Sequence, residues 1–134
     1  RIELRIPSQL VYLGVPDAVL MEVANDLPCE QKVIDELSTS VIEACTNAME
    51  HGNGLDPARP IEIRIEVDEK SIAVEGLDEG PGFDYRSWKP AEDLLRERGR
   101  GIIIMREFTD SLDYDRADDG RFLVRLTKHL TNSE

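Results

Sequence analysis

Residues 30–51 carry one continuous helical pattern, and this segment constrains the fold more than any other in the chain. On a wheel advancing ~100° per residue, Ile34, Leu37, Val41, Ala44, Cys45 and Ala48 gather on one side. Glu36, Ser40, Glu43, Asn47 and Glu50 gather on the other, and Gly52-Asn53-Gly54 stops the run. A helix this long must bury its apolar stripe, and the strand-like segments supply a surface for it. Ile61 to Val67 alternates strictly between apolar and charged residues, as a half-buried strand does. Ser71 to Leu77 pairs with it across an Asp68-Glu69-Lys70 turn, and Ile2, Leu4 and Ile6 mark a strand at the start. Ser111 to Asp115 and Arg121 to Leu126 form a hairpin around Ala117-Asp118-Asp119-Gly120.

Two further segments read as helix. Asp17 to Leu27 is expected to be regular, capped by Asp17 after Pro16 and ended by Pro28. Ala91 to Arg98 is a short charged segment, at most a frayed helix, and stands outside the element count. Gly101 to Thr109 is apolar enough for a buried helix, although Ile102-Ile103-Ile104 also fits a strand. The order βααββαββ predicts an α+β two-layer sandwich, a mixed, largely antiparallel sheet with helices on one face. A length of 134 residues suits a single domain spanning 1–134.

Charge and composition narrow the function. Against 28 acidic residues stand 16 basic ones, a net charge of −12. Binding DNA or RNA needs Lys and Arg to neutralise phosphates, so this balance argues against nucleic acid and suits a protein with a basic face. The apolar runs are far shorter than the ~20 residues that span a bilayer, and the N-terminus has no signal-peptide core. No membrane contact and a cytoplasmic location are expected. Cys29 and Cys45 fit neither a disulfide framework nor a zinc array; both read as reduced thiols, with Cys45 in the core.

The chemistry sits at three places. Glu43 and Asn47 are one turn apart, with ~5–6 Å between Cβ atoms, and His51 follows on the same helix end. The Asn47 amide oxygen is a hard donor suited to magnesium, and a carboxylate beside it can take a proton from a hydroxyl attacking a phosphate. Alone, the pair reads more readily as a solvated helix face. Downstream, Asp78-Glu79-Gly80-Pro81-Gly82-Phe83 closes a strand with an acidic, glycine-marked turn, where Asp78 can accept a hydrogen bond from an exocyclic amino group. Arg98-Gly99-Arg100-Gly101 then precedes an apolar helix, whose N-terminus suits phosphate. Arg96, Arg98 and Arg100 are candidates for contacting it. No Gly-Lys-Ser/Thr loop is present.

With these motifs in this order, the sequence resembles the ATP-binding fold shared by DNA gyrase, heat-shock chaperones, histidine kinases and mismatch-repair ATPases. Within it, the chain is most similar to the anti-sigma-factor serine/threonine kinases of bacterial partner-switching systems. The likeness rests on Glu43-Ala44-Cys45-Thr46-Asn47-Ala48-Met49-Glu50-His51-Gly52, on Asp78 to Phe83, on Gly99 to Met105, and on Arg125-Leu126-Thr127-Lys128-His129-Leu130. It implies ATP and Mg2+ as cofactors, Asn47 as the magnesium ligand and Glu43 as general base on an acceptor serine. It implies that Asp78 binds the adenine amino group with help from Thr127. Gly80, Gly82, Gly99 and Gly101 would shape the pocket and lid, and His51 would lie near the phosphates. The implied partners are a sigma factor and a STAS-type anti-anti-sigma protein, with a homodimer as a frequent arrangement.

Two other functions compete with this reading. One is a nucleotide-gated binding module without efficient phosphoryl transfer. The other is a histidine-kinase catalytic domain, which would need an acceptor histidine on a dimerisation helix; the chain's histidines are His51 and His129.

Overall fold

In the computed structural model, which describes residues 1–86 and 97–130, the elements run β1 (Ile2–Ile6), α1 (Gly14–Ala24), α2 (Gln31–Asn47), β2 (Ile61–Val67), β3 (Ser71–Asp78), α3 (Glu97–Phe108), β4 (Ser111–Arg116) and β5 (Phe122–His129). The strands form one five-stranded sheet in the order β1-β2-β3-β5-β4. Each neighbouring pair is antiparallel, so the sheet is antiparallel throughout its described strands rather than mixed. Ile102-Ile103-Ile104 is helical. The charged segment over 91–98 falls mostly outside the described residues.

Alternation decides which side of the sheet meets the helices. Leu4 lies opposite Ile63, Ile63 opposite Gly76, and Gly76 opposite Val124. These rows, with Ile61, Ile65, Val74 and Leu126, face α2, whose Leu37 and Val41 are almost fully buried against them. Glu62, Arg64, Glu75 and Arg125 alternate onto the other face, where Arg125 pairs with Glu75 at 3.3 Å and Arg64 with Glu62 at 2.6 Å. Burial of a large aliphatic side chain stabilises by about 1.5–3 kcal/mol, so the α2 stripe is a main source of the fold's stability.

α1 ends at Ala24 rather than Leu27, α3 is already helical at Glu97 rather than from Gly101, and two further boundary differences carry structural consequences. α1 starts at Gly14, not Asp17, and takes Pro16 into its first turn. There an N–H has no intrahelical acceptor in any case, so proline costs little. Asp17 accepts a hydrogen bond from Ser38 Oγ on α2 and ties the two helices together instead of capping. The second difference lies at the functional end. Regular α-helix stops at Asn47, and Ala48–Gly52 form a π-helical turn. That turn closes with the Asn53 N–H donating to Ala48 O at 2.9 Å. Single π-turns cluster at functional sites because they re-aim the side chains around them.

Candidate functional site

The polar face of α2 is not a solvated face. Ser40 is fully buried and Asn47 is 9% exposed, because α3 packs across them. The approach is close enough to demand glycine. A Cβ on Gly101 would stand 2.8 Å from Glu43 Oε2 and 3.5 Å from Asn47 Nδ2. Glu43 is half-buried at this contact. The Asn47 amide is buried and has no hydrogen-bond partner among the described residues. Burying an amide without a partner costs about 1–3 kcal/mol, an expense that a ligand supplying the missing bonds would offset.

Asp78 ends β3 and is 4% exposed. Its Oδ1 accepts the Gly80 N–H at 2.8 Å, which turns the chain and orients the carboxylate. The turn is wedged against the end of the α2 segment. A Cβ on Gly80 would lie 2.1 Å from Gly52 O, and one on Gly52 would lie 2.3 Å from Asp78 Cγ. Gly82 has φ +71 and rests on the Phe122 ring. Two arginines fix the turn's carbonyls: Arg59 Nη2 donates to Glu79 O at 2.7 Å, and Arg116 donates to Gly80 O at 3.3 Å and to Pro81 O.

Asn47 and Asp78 line one small cavity, together with Ala48, Met105, Tyr114 and Phe122. Its volume is only about 10 Å³, against the ~300 Å³ or more of a typical small-molecule pocket. Met105 and two aromatic rings line this space beside the two polar groups. Tyr114 stacks on Phe122 with centroids 5.7 Å apart and a 17° interplanar angle, and Phe83 meets Tyr114 edge-on at 5.0 Å. A larger cavity of about 270 Å³ adjoins on the other side of Tyr114, walled also by Phe83, Tyr85 and Ile102. Among the described residues, the space between Asn47 and Asp78 is thus small and lined by aromatic side chains, with a larger volume beside it.

The structure brings Glu43, Asn47 and Gly101 together, and it brings Asp78 and Gly80 onto the same end of the sheet. Thr127 stands apart from them. It pairs with Ala73, five positions along β5 from Phe122, which is the residue opposite Asp78. Its neighbour Lys128 points to the helices, donating to Phe108 O at 2.6 Å and lying 3.7 Å from Glu36, so Thr127 faces the opposite side of the sheet. The terminal strand enters one residue in register with Asp78, and that residue carries a ring rather than a hydroxyl. His51 is exposed and does not line the cavity. Gly99, Arg100 and Gly101 lie within α3 rather than in a loop ahead of it; Gly99 is buried and Arg100 exposed. The Arg98 side chain and Arg96 lie outside the described residues.

Sequence reasoning did not single out Phe122, Tyr114 and Met105. They carry no catalytic signature; the alternation of β4 and β5 signals that Tyr114 and Phe122 face the helices, and Met105 reads only as a buried residue of α3. No cluster of three or more His, Cys, Asp or Glu able to hold a metal occurs among the described residues. A divalent cation here would therefore depend on ligands from a bound molecule. Cys45 is buried and its thiol is pushed up to about 12 by desolvation, which makes it an inert packing residue. No described helix is long and apolar enough to cross a membrane.

A five-stranded antiparallel sheet backing a helix that presents Glu43 and Asn47, with a glycine-bearing helix laid over them, defines a class. The family described as the histidine kinase-like ATPase domain matches residues 6–128, and the chain belongs to that family. Within it, the chain is 30% identical to the serine-protein kinase RsbW of Bacillus subtilis (strain 168), over 96% of this chain and 85% of that protein. It is 27% identical to the serine-protein kinase RsbW of Oceanobacillus iheyensis, over 99% and 89% respectively. Among solved structures, the RsbU and RsbW domains of a Mycobacterium tuberculosis protein superpose with a TM-score of 0.65 at 14% identity. That match covers 99% of this chain and 34% of the other. The Pseudomonas aeruginosa SiaB–SiaC complex gives a TM-score of 0.60 at 12% identity, covering 96% of this chain and 89% of that one. These two likenesses concern the fold.

Proposed function

We propose that this chain is an ATP-dependent protein serine/threonine kinase and anti-sigma factor of a partner-switching system. Its substrate in this reading is a STAS-type anti-anti-sigma protein, and its other partner is a sigma factor. The Asn47 amide, buried and without a hydrogen-bond partner among the described residues, carries the reading. It stands one helical turn from a half-buried carboxylate at Glu43 and shares a cavity with Asp78. The names of the curated relatives, serine-protein kinases along nearly the whole chain, support the same conclusion.

The roles follow from chemistry. Asp78, its carboxylate oriented by the Gly80 N–H, accepts a hydrogen bond from the adenine amino group. The amide oxygen of Asn47 fits Mg2+, which takes hard oxygen ligands and completes its shell with phosphates and water; the ion's contribution is to neutralise phosphate charge. Glu43 takes the proton from the acceptor hydroxyl. The serine oxygen then bonds to the γ-phosphorus, the bond to the bridging oxygen breaks, and ADP leaves. Gly101 and Gly99 let α3 lie close over the phosphates, with Arg98 and Arg100 as candidates to contact them. Thr127 is given no part in base recognition. In this reading the chain acts in the cytoplasm, alongside its partners.

The test is label transfer from γ-labelled ATP to a STAS-type protein. Label should appear on the wild-type reaction's acceptor and fall by at least ~10²-fold in Glu43→Gln, as expected for removal of a general base. Nucleotide binding with no transfer to any such acceptor would instead leave a nucleotide-gated binding module.

A further inference from the structure

Asn53 is 1% exposed, and no step of the chemistry above uses it. Its side chain is nonetheless among the most heavily bonded in the molecule. The Nδ2 group donates to Ser8 Oγ at 3.0 Å, Arg59 O at 2.7 Å and Pro60 O at 3.1 Å, while Oδ1 accepts the Glu79 N–H at 2.8 Å. The Asn53 backbone N–H closes the π-turn onto Ala48 O. Both backbone polar groups of Glu79 are therefore held from the same side, its N–H by Asn53 and its carbonyl by Arg59.

The consequence concerns the residue next to Glu79. Asp78 is backed by Gly52, whose Cα side leaves no room for a single carbon, and Gly52 immediately precedes Asn53. The turn that aims the Asp78 carboxylate is thus fixed between the end of the α2 segment and the 59–60 loop, with Asn53 as the joint. Only an amide fits this place. A carboxylate would set an oxygen against the Arg59 and Pro60 carbonyls, and an alanine would leave the Glu79 N–H and the Pro60 carbonyl without the bonds Asn53 makes, while the Arg59 carbonyl would keep only the one from Ser8 Oγ.

Resting on the nucleotide reading above, we infer that Asn53 is a positioning residue for base recognition: it sets Asp78 relative to Asn47 and so maintains selection of adenine by its amino group. The residue touches no substrate. Its effect is transmitted through the Glu79 peptide and Gly52. A site built to pair a polar group rejects an analogue lacking that group far more strongly than a loosely held one does, so the signature is lost selectivity and not merely lost stability.

The experiment compares ADP with IDP, in which a carbonyl replaces the amino group, by calorimetry at a temperature where circular dichroism shows each variant folded. Wild type should prefer ADP by about 10²-fold or more. In Asn53→Ala the preference should shrink by about tenfold, mainly through weaker ADP binding, with IDP changed by less than about threefold. Arg59→Met, which removes only the grip on the Glu79 carbonyl, should shift the preference the same way by a smaller factor and covers the case in which Asn53→Ala fails to fold. Asn53→Ala added to Asp78→Asn should change the remaining preference no further, because the effect passes through Asp78. Equal loss of ADP and IDP affinity in Asn53→Ala and Arg59→Met, with selectivity lost in Asp78→Asn, overturns the positioning role and leaves the nucleotide site standing. A wild type that binds ADP and IDP alike overturns both.

Discussion

Gly101→Ala separates the fold from the chemistry in a single substitution. The residue lies inside α3, and alanine is more favourable than glycine in a helix interior by up to ~1 kcal/mol. The added Cβ meets Glu43 Oε2 at 2.8 Å. A carbon–oxygen pair is comfortable near ~3.4 Å, so the carboxylate must retreat by about 0.6 Å. It can do so cheaply, being the end of a flexible side chain. Stability should therefore hold or rise by up to ~1 kcal/mol in urea denaturation. Catalysis should suffer, because misplacing a reacting group by ~1 Å can cost ~10²-fold; about tenfold lower kcat is expected, with KM for ATP nearly unchanged. Gly80→Ala gives the contrast. Its Cβ would meet backbone, Gly52 O at 2.1 Å, which cannot swing aside, and a loss of about 1–3 kcal/mol or more is expected. A Gly101→Ala protein with full kcat, or one destabilised as much as Gly80→Ala, would refute the proposed packing of α3 on Glu43.

Three other predictions follow from specific contacts. Burial opposes ionisation of Glu62, but hydrogen bonds and charge from Arg64 and Arg121 outweigh it and hold its carboxyl below the ordinary value of 4.5. The stability this contributes is present above about pH 4.5 and lost as pH falls through the lower folded value. Glu62→Gln should cost about 1 kcal/mol at pH 7, and the difference should vanish in acid-range denaturation curves; a constant difference would exclude the pairing as its source. Cys45, with its thiol pushed up to about 12, should resist a disulfide reagent in the native protein while Cys29 reacts, and both should titrate in urea. Tyr114→Leu removes the ring between the two cavities and should speed nucleotide association in stopped-flow measurements. An unchanged rate would mean that the ring is no obstacle.

The sequence alone determined the elements and the polar constellation. Strict alternation in Ile61–Val67 and the apolar stripe of α2 reflect local periodicities that survive into the fold, and Glu43 and Asn47 are neighbours by helix geometry wherever that helix lies. The glycines were legible because close backbone approach admits little else. Tertiary structure decided the rest. Whether the polar face of α2 meets water or another helix depends on α3, which is separated from it by the whole central hairpin. The exchange of Thr127 for Phe122 opposite Asp78 is a matter of register, and a strand's own sequence does not state which residue of its neighbour it will face. The π-turn at Ala48–Gly52 and the bonds of Asn53 arise because several distant segments must satisfy their buried polar groups at one point. That requirement exists only after the chain has closed on itself.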